Sequence, residues 1–252
     1  MSRGFDFSGR QVWVSGAGSG IGYRTACRFQ QAGAQVVGFD IAFPAGEVPF
    51  SVRELDVSDP QAVADCCRET LAGCPELDVL VIGAGILRLG ATESLPFADW
   101  QRCLAVNAGG AFNLFQAVIP QFRRQRRGAI VTVASNAAHV PRSGMSAYCA
   151  SKAALRSLSL SVGLELAPFG VRCNLISPGS TDTPMLRSMW RSPAARRQVI
   201  DGAPAQFRLG IPLGKLATVD DIADAILFMA SDMASHITLQ DVVIDGGATL
   251  GA

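Results

Sequence analysis

The feature that most limits the fold is the opening of the chain. An apolar, β-prone run over residues 11–15 enters the glycine-rich turn Ser15-Gly16-Ala17-Gly18-Ser19-Gly20-Ile21-Gly22. A helical pattern follows at once through Ile21, Thr25, Ala26 and Phe29 and stops at Gly33. A strand that passes within a few residues into a helix must lay that helix back over the strand, and repeats of the unit build a parallel sheet.

The unit does repeat. Further strands are predicted over residues 35–40, 52–57, 77–82, 129–134, 171–176 and 242–245, and helices over 59–71, 100–122, 146–167 and 218–231. Between the second and third strands, Ala-Phe-Pro-Ala-Gly-Glu-Val-Pro is short and carries two prolines, so no crossover helix is expected there. Apolar strands alternating with helices predict an α/β fold: one Rossmann-type doubly wound parallel sheet, as a single domain over residues 1–252. Residues 180–214 break the rhythm with four prolines, scattered arginines and Trp190. They follow a strand end, where such sheets bind ligands, and are expected to form a substrate lid.

Composition narrows the class. The net charge is +1 and 49% of residues are hydrophobic, which suits a large core and offers no polyanion-binding surface. Arg123, Arg124, Arg126 and Arg127 sit at a predicted helix C-terminus, where cations complement the dipole. No nucleic acid is expected as a partner. The start lacks the apolar stretch of a signal peptide, and no uninterrupted apolar segment reaches bilayer length; the expectation is a cytoplasmic protein with no membrane partner. Seven cysteines without a Cys-x-x-Cys pair predict buried free thiols and no metal.

The glycine turn is suited to a dinucleotide. Glycines let the backbone approach a pyrophosphate, while a helix N-terminus offers N–H donors and a positive dipole end. The spacing is G-x-x-x-G-x-G through Gly16, Gly20 and Gly22, because Ile21 and Tyr23 stand where G-x-G-x-x-G needs its third glycine. Asp40 closes the second strand, where a carboxylate accepts hydrogen bonds from the ribose hydroxyls and repels a 2′-phosphate. Neither Ser19 nor Ile41 is basic, so NAD is expected rather than NADP. Asp56 has two readings: an acceptor for the adenine amine, or the cap of the turn Val57-Ser58-Asp59.

Tyr148 and Lys152 lie four residues apart on one face of a predicted helix. A nearby ammonium favours phenolate, so the Tyr148 pKa is expected below its ordinary value of about 10, making it an acid or base at neutral pH. Ser135 ends an apolar strand shortly before them.

Gly16-x-x-x-Gly20-x-Gly22, Asn107, Ser135, Tyr148-x-x-x-Lys152 and Pro178-Gly179 stand in the order and spacing of the short-chain dehydrogenase/reductase family, which the chain resembles over essentially its whole length. The resemblance implies a homotetramer and a set of roles: Tyr148 as general acid/base, Lys152 lowering its pKa and holding the nicotinamide ribose, Ser135 orienting the substrate oxygen, and Asn107 supporting a proton relay. It places the cofactor against Gly16, Gly18, Ser19, Gly20, Ile21, Gly22, Asp40, Asp56 and Val57. From the later strands it adds Gly83, Ala84, Gly85, Tyr148, Lys152, Pro178, Gly179 and Thr183, the last as a contact to the nicotinamide carboxamide. One departure stands out: Ile82-Gly83-Ala84-Gly85 replaces the usual Asn-Asn-Ala-Gly, which removes asparagine hydrogen bonds from the central sheet and is expected to lower stability.

Stretches outside these motifs, among them His139-Val-Pro-Arg-Ser-Gly-Met145 and the ending Asp-Gly-Gly-Ala-Thr-Leu-Gly-Ala252, resemble family members that oxidise a carboxylated ring dihydrodiol for catecholate siderophores. A small-molecule substrate is implied, and contact with other siderophore-biosynthesis enzymes stays open. Arg142 is the first candidate for the substrate carboxylate, since arginine offers a planar fork; Arg88 and Arg187 are alternatives or plain surface charges. His139 is read as a substrate contact or a structural residue, and Met145, Met185 and Trp190 as a wall for a flat ring or as core. Two other functions compete with this one. A 3-oxoacyl thioester reductase would use the same residues in reverse, but the basic residues for NADP are missing; a non-catalytic nucleotide-binding regulator would not need an intact Asn107, Ser135, Tyr148 and Lys152.

Overall fold

Strand β1 (Gln11–Ser15) sends Val12 and Val14 to one face of a sheet and Trp13 to the other, and all three are buried. The alternation recurs in the fourth strand, with Val79 and Val81 opposite Leu80 and Ile82. Two apolar layers, one on each face, follow directly. The computed structural model describes residues 5–74, 76–190, 192 and 194–251.

The remaining strands are β2 (Gln35–Asp40), β3 (Ser51–Glu54), β4 (Val79–Ile82), β5 (Gly128–Val133), β6 (Val171–Pro178) and β7 (Asp241–Ile244). All pair in parallel in one sheet, ordered β3-β2-β1-β4-β5-β6-β7. The helices are α1 (Gly20–Gln31), α2 (Pro60–Gly73), α3 (Phe97–Leu104), α4 (Gly110–Gln125), α5 (Ser146–Leu166), α6 (Pro184–Arg187), α7 (Ala195–Asp201) and α8 (Val219–Ala230). α1 and α8 pack together on the face of Val12 and Val14, with Phe29, Ile222 and Ile226 buried between helix and sheet. α2, α4 and α5 cover the other face, where Trp13, Phe39, Phe115, Phe122 and Leu155 pack. This is the doubly wound arrangement that the alternation predicts.

Local chemistry sets the helix boundaries. The Asp59 carboxylate accepts from the N–H groups of Gln61 and Ala62, both at 3.0 Å, and Pro60 occupies the first turn of α2, where no N–H is needed. Thr218 and Asp221 form a reciprocal capping box at the start of α8. As the two prolines predict, no helix separates β2 from β3, and β3 is an exposed edge strand.

The structure adds detail to two sequence expectations. The helix expected to contain residues 100–122 runs from Phe97 to Gln125 and includes a π turn, Ala105–Gly109. By length and composition alone this run could cross a bilayer; Asn107, Asn113 and Gln116 interrupt its apolar residues, and Leu114, Phe115, Val118 and Phe122 bury its inner face in the protein core. Residues 180–214, expected as a substrate lid, hold α6, α7 and a 3-10 turn, Pro204–Gln206. All seven cysteines are without a disulfide.

Candidate active site

β1 and β4 are neighbours whose connections leave toward opposite ends of the sheet, which opens a crevice at their C-terminal ends. A cleft of about 1000 Å³ occupies that crevice and runs from Asp40 past Ser135 and Tyr148 to Arg142 and residues 180–208.

The cofactor half is shaped by backbone contact. Gly16 has φ +74°, and a Cβ there would lie 2.6 Å from the Gly83 carbonyl carbon; a Cβ on Gly22 would lie 2.1 Å from the Gly16 oxygen. Only glycine lets the turn close against the end of β4. The Ser19 side chain makes no cap at the start of α1, so the first N–H groups of this 12-residue helix have no side-chain acceptor where Ser19, Gly20 and Ile21 line the cleft. These are the donors a pyrophosphate needs, and the site fits a nicotinamide dinucleotide. Gly18 lies behind the lining and donates its N–H to Asp40 Oδ2 at 2.8 Å, while Asp40 Oδ1 accepts from Ile41 N–H at 2.7 Å.

Ser15 joins the two central strands, its Oγ accepting from the N–H of Gly83 (3.1 Å) and of Ala84 (3.4 Å). Ile82 is 2% exposed within the apolar cluster, so packing occupies the place of the first family asparagine. Gly83, Ala84 and Gly85 border the cleft, as do Pro178 and Gly179. Thr183 Oγ1 caps α6 by accepting from Leu186 N–H at 3.2 Å, and its methyl faces Gly20 across the cleft.

Asp56 takes the turn-forming alternative. Its Oδ1 accepts from the Ser58 N–H (2.9 Å) and hydroxyl (2.6 Å), and Oδ2 from Arg102 (2.9 Å). The Ser58 hydroxyl, with Arg102 assisting against partial burial, pulls this carboxyl down to about 2. Asp56 and Val57 still border the cleft, and the Val57 carbonyl accepts from Asn113 Nδ2 at 2.9 Å.

The reaction half lies between β5 and α5. Ser135 follows β5 with its Oγ accepting from Ala137 N–H at 3.1 Å, and its hydroxyl acts to lower the pKa of the Tyr148 phenol. The buried ammonium of Lys152 lies 5.8 Å from the centre of the Tyr148 ring and donates to the Val133 carbonyl at 2.9 Å. The expected lowering of the Tyr148 pKa is therefore not met in this state. Burial pushes the phenol up to about 12, against the opposing pull of Ser135, although part of the ring stays open to the cleft. Burial also lowers the Lys152 ammonium to about 8.

Asn107 is fully buried in the π turn. Its Oδ1 accepts from Ile86 N–H (2.7 Å), and Nδ2 donates to the Ile86 carbonyl (3.0 Å) and to Ser151 Oγ (2.8 Å). Ser151 donates in turn to the Tyr148 carbonyl at 2.8 Å. Asn107 thus ties the loop after β4 to the helix bearing Tyr148, and it makes no recorded bond to Lys152.

Of the substrate candidates, Arg142 and Met145 line the cleft with Met185 and Trp190. His139 does not. Its Nε2 lies 2.9 Å from Asp241 Oδ2 and 3.4 Å from Ser177 Oγ, beneath the β6–β7 edge, so its expected contact with the substrate gives way to the structural alternative. Arg88 pairs with Asp99 at 3.0 Å and Arg187 with Asp182 at 2.7 Å, which makes both surface charges. The structure adds Arg208 to the cleft wall, sixty residues beyond Tyr148 in a stretch whose pattern carries no spacing signal for it.

A family model described as enoyl-(acyl carrier protein) reductase matches residues 16–249, and the chain belongs to the short-chain dehydrogenase/reductase family. It is 64% identical over 247 residues to the 2,3-dihydro-2,3-dihydroxybenzoate dehydrogenase of Escherichia coli (strain K12), covering 98% of this chain and 100% of that one. It is 41% identical to the vibriobactin-specific 2,3-dihydro-2,3-dihydroxybenzoate dehydrogenase of Vibrio cholerae, over 95% of this chain and 96% of that one. Among solved structures, the ligand-free aldohexose dehydrogenase of Thermoplasma acidophilum superposes with a TM-score of 0.88 at 30% identity, covering 97% of this chain and 96% of that one.

Proposed function

We propose that this chain is an NAD-dependent dehydrogenase that oxidises 2,3-dihydro-2,3-dihydroxybenzoate to 2,3-dihydroxybenzoate in catecholate siderophore biosynthesis. The observation that carries the reading is the 64% identity, end to end, to an enzyme of that name. The cleft is compatible with it: Ser135 and Tyr148 line it between a glycine-lined cofactor half and a wall bearing arginine and methionine.

NAD, which the turn Gly16–Gly22 and Asp40 would hold, would supply the hydride acceptor. Ser135 holds the oxygen of the ring C3 hydroxyl, and Tyr148 accepts its proton as that carbon is oxidised. Lys152, on leaving the Val133 carbonyl, would bring its ammonium toward the phenol and would hold the nicotinamide ribose; such charge opposes the burial that keeps the phenol protonated. Asn107 positions Tyr148 through Ser151. The ketone formed enolises to a catechol, and aromaticity makes oxidation the favoured direction.

Asp40 supports NAD over NADP, since it faces the cleft with neutral Ser19 and Ile41 beside it. Arg142 is the residue of the loop before α5 that we assign to the substrate carboxylate, with residues 180–214 as the lid. A homotetramer is proposed from the family resemblance, and a cytoplasmic location agrees with seven cysteines that form no disulfide. The test is an assay with both cofactors. NAD with the dihydrodiol acid should give a rise in NADH absorbance; no rise, with 3-oxoacyl thioester reduced by NADPH instead, overturns the reading.

A further inference from the structure

The charged residues lining the cleft are Asp40, Asp56, Arg102, Arg142, Lys152 and Arg208. Asp40 and Asp56 lie at the adenosine end, and Arg102 is paired with Asp56. Lys152 donates to Val133. That leaves the guanidinium groups of Arg142 and Arg208, which have no recorded acid partner or side-chain hydrogen bond among the described residues. Among the described residues, the substrate end of the cleft thus holds these two unpaired cations and no acid.

The chain presents Arg208 by construction. Ala203 and Arg208 exchange backbone hydrogen bonds (2.9 and 3.1 Å) around the turn Pro204–Gln206. Gly202 (φ +91°) and Gly210 (φ +93°) close the base of this small hairpin, and a Cβ on Gly202 would lie 2.7 Å from the Gly210 nitrogen. Phe207 adopts φ +55° and is 97% exposed, whereas its neighbour Arg208 is half-buried in the cleft wall. A bulky apolar residue is held in the left-handed region and turned to solvent while the cation lines the cleft.

We propose that Arg208 is the second half of a two-arginine clamp which, with Arg142, takes the carboxylate of the ring substrate. The proposal rests on the reading above that the substrate is a carboxylic acid. Arg142 and Arg208 line the same cleft, and the charge of Arg142 adds to partial burial in lowering the Arg208 pKa, so an anion held by both relieves like-charge repulsion. Each guanidinium offers a planar fork that matches a carboxylate. The clamp spans two elements, the loop before α5 and the hairpin at 203–208, so the carboxylate orients the ring between Tyr148 and residues 180–208.

The test is isothermal titration of the NAD-loaded enzyme with 2,3-dihydroxybenzoate and, separately, with catechol. Wild type should prefer the acid. Arg208→Gln should lose about tenfold to a hundredfold in affinity for the acid while catechol and NAD bind as before; Arg208→Lys should recover part of the loss. Equal affinity of wild type and Arg208→Gln for the acid, or equal loss of acid and catechol, overturns the clamp. Should Arg208→Gln not fold, Arg208→Lys carries the test, and acid affinity unchanged from wild type overturns the clamp. A wild type that selects the acid but oxidises no dihydrodiol acid overturns the reaction assigned above and leaves the clamp standing.

Discussion

The Lys152 ammonium lies 5.8 Å from the centre of the Tyr148 ring, yet its recorded hydrogen bond goes to the Val133 carbonyl at 2.9 Å. The pair is assembled on one face of α5, but in this state the lysine does not activate the tyrosine, whose phenol stands at about 12. Burial alone thus favours the neutral phenol, and only further positive charge near the ring would shift the balance toward phenolate.

Tyr148→Phe isolates that proton transfer. It removes one hydroxyl and leaves the ring packing, so kcat for the dihydrodiol acid should fall by about a hundredfold or more while NAD affinity stays near wild type. NADH absorbance and an NAD titration check both parts; a variant with wild-type kcat removes Tyr148 from the chemistry.

Lys152 is 4% exposed, and burial lowers its pKa from 10.5 to about 8. The unfolded chain holds the proton until pH reaches about 10.5, but the native chain gives it up near 8, so this residue makes stability rise with pH across that window. Lys152→Met should therefore stabilise the fold at pH 7, by roughly 1–2 kcal/mol once the lost bond to Val133 is subtracted. The advantage should shrink between pH 8 and 10.5. Urea titrations at pH 7 and pH 10 check it, and a variant less stable than wild type at both refutes the account.

Asp40 borders the cleft beside Ile41, which is 65% exposed. Exchanging the acid for a neutral residue and the isoleucine for a cation removes repulsion from a 2′-phosphate and adds a partner for it. Asp40→Ser with Ile41→Arg should move the ratio of kcat/KM for NADP over NAD upward by about a hundredfold. A ratio that stays at the wild-type value would place cofactor choice elsewhere.

Much of this was legible in the sequence because the signals are local. The turn from Gly16 to Gly22, the paired spacing of Tyr148 and Lys152, and the prolines between β2 and β3 each depend on residues within one or two turns of chain. The rest depends on tertiary contact. The direction of the Tyr148 shift turns on burial and on the alternative acceptor at Val133, nineteen residues before Lys152. Asp56 is captured by Arg102, forty-six residues away, and Arg208 enters the cleft only through the hairpin closed by Gly202 and Gly210. The π turn presenting Asn107 leaves no mark on helical periodicity.

His139 is the plainest case, and it yields the last prediction. Its ring meets Asp241 at the start of β7, an aspartate whose side chain is 4% exposed and also accepts from Arg156 (2.8 Å) and Ser177 (2.6 Å). The cluster joins the loop before α5 to the last two strands of the sheet, and Asp241 needs its partners because a buried carboxylate left short of donors is costly. Removing the imidazole takes away one of three partners, so His139→Ala should lower stability by about 1–2 kcal/mol and leave KM for the dihydrodiol acid within about twofold of wild type. Denaturant midpoints and initial rates measure the two effects separately. A large rise in KM with the midpoint unchanged would return His139 to the substrate, in contradiction to its position beneath the sheet edge.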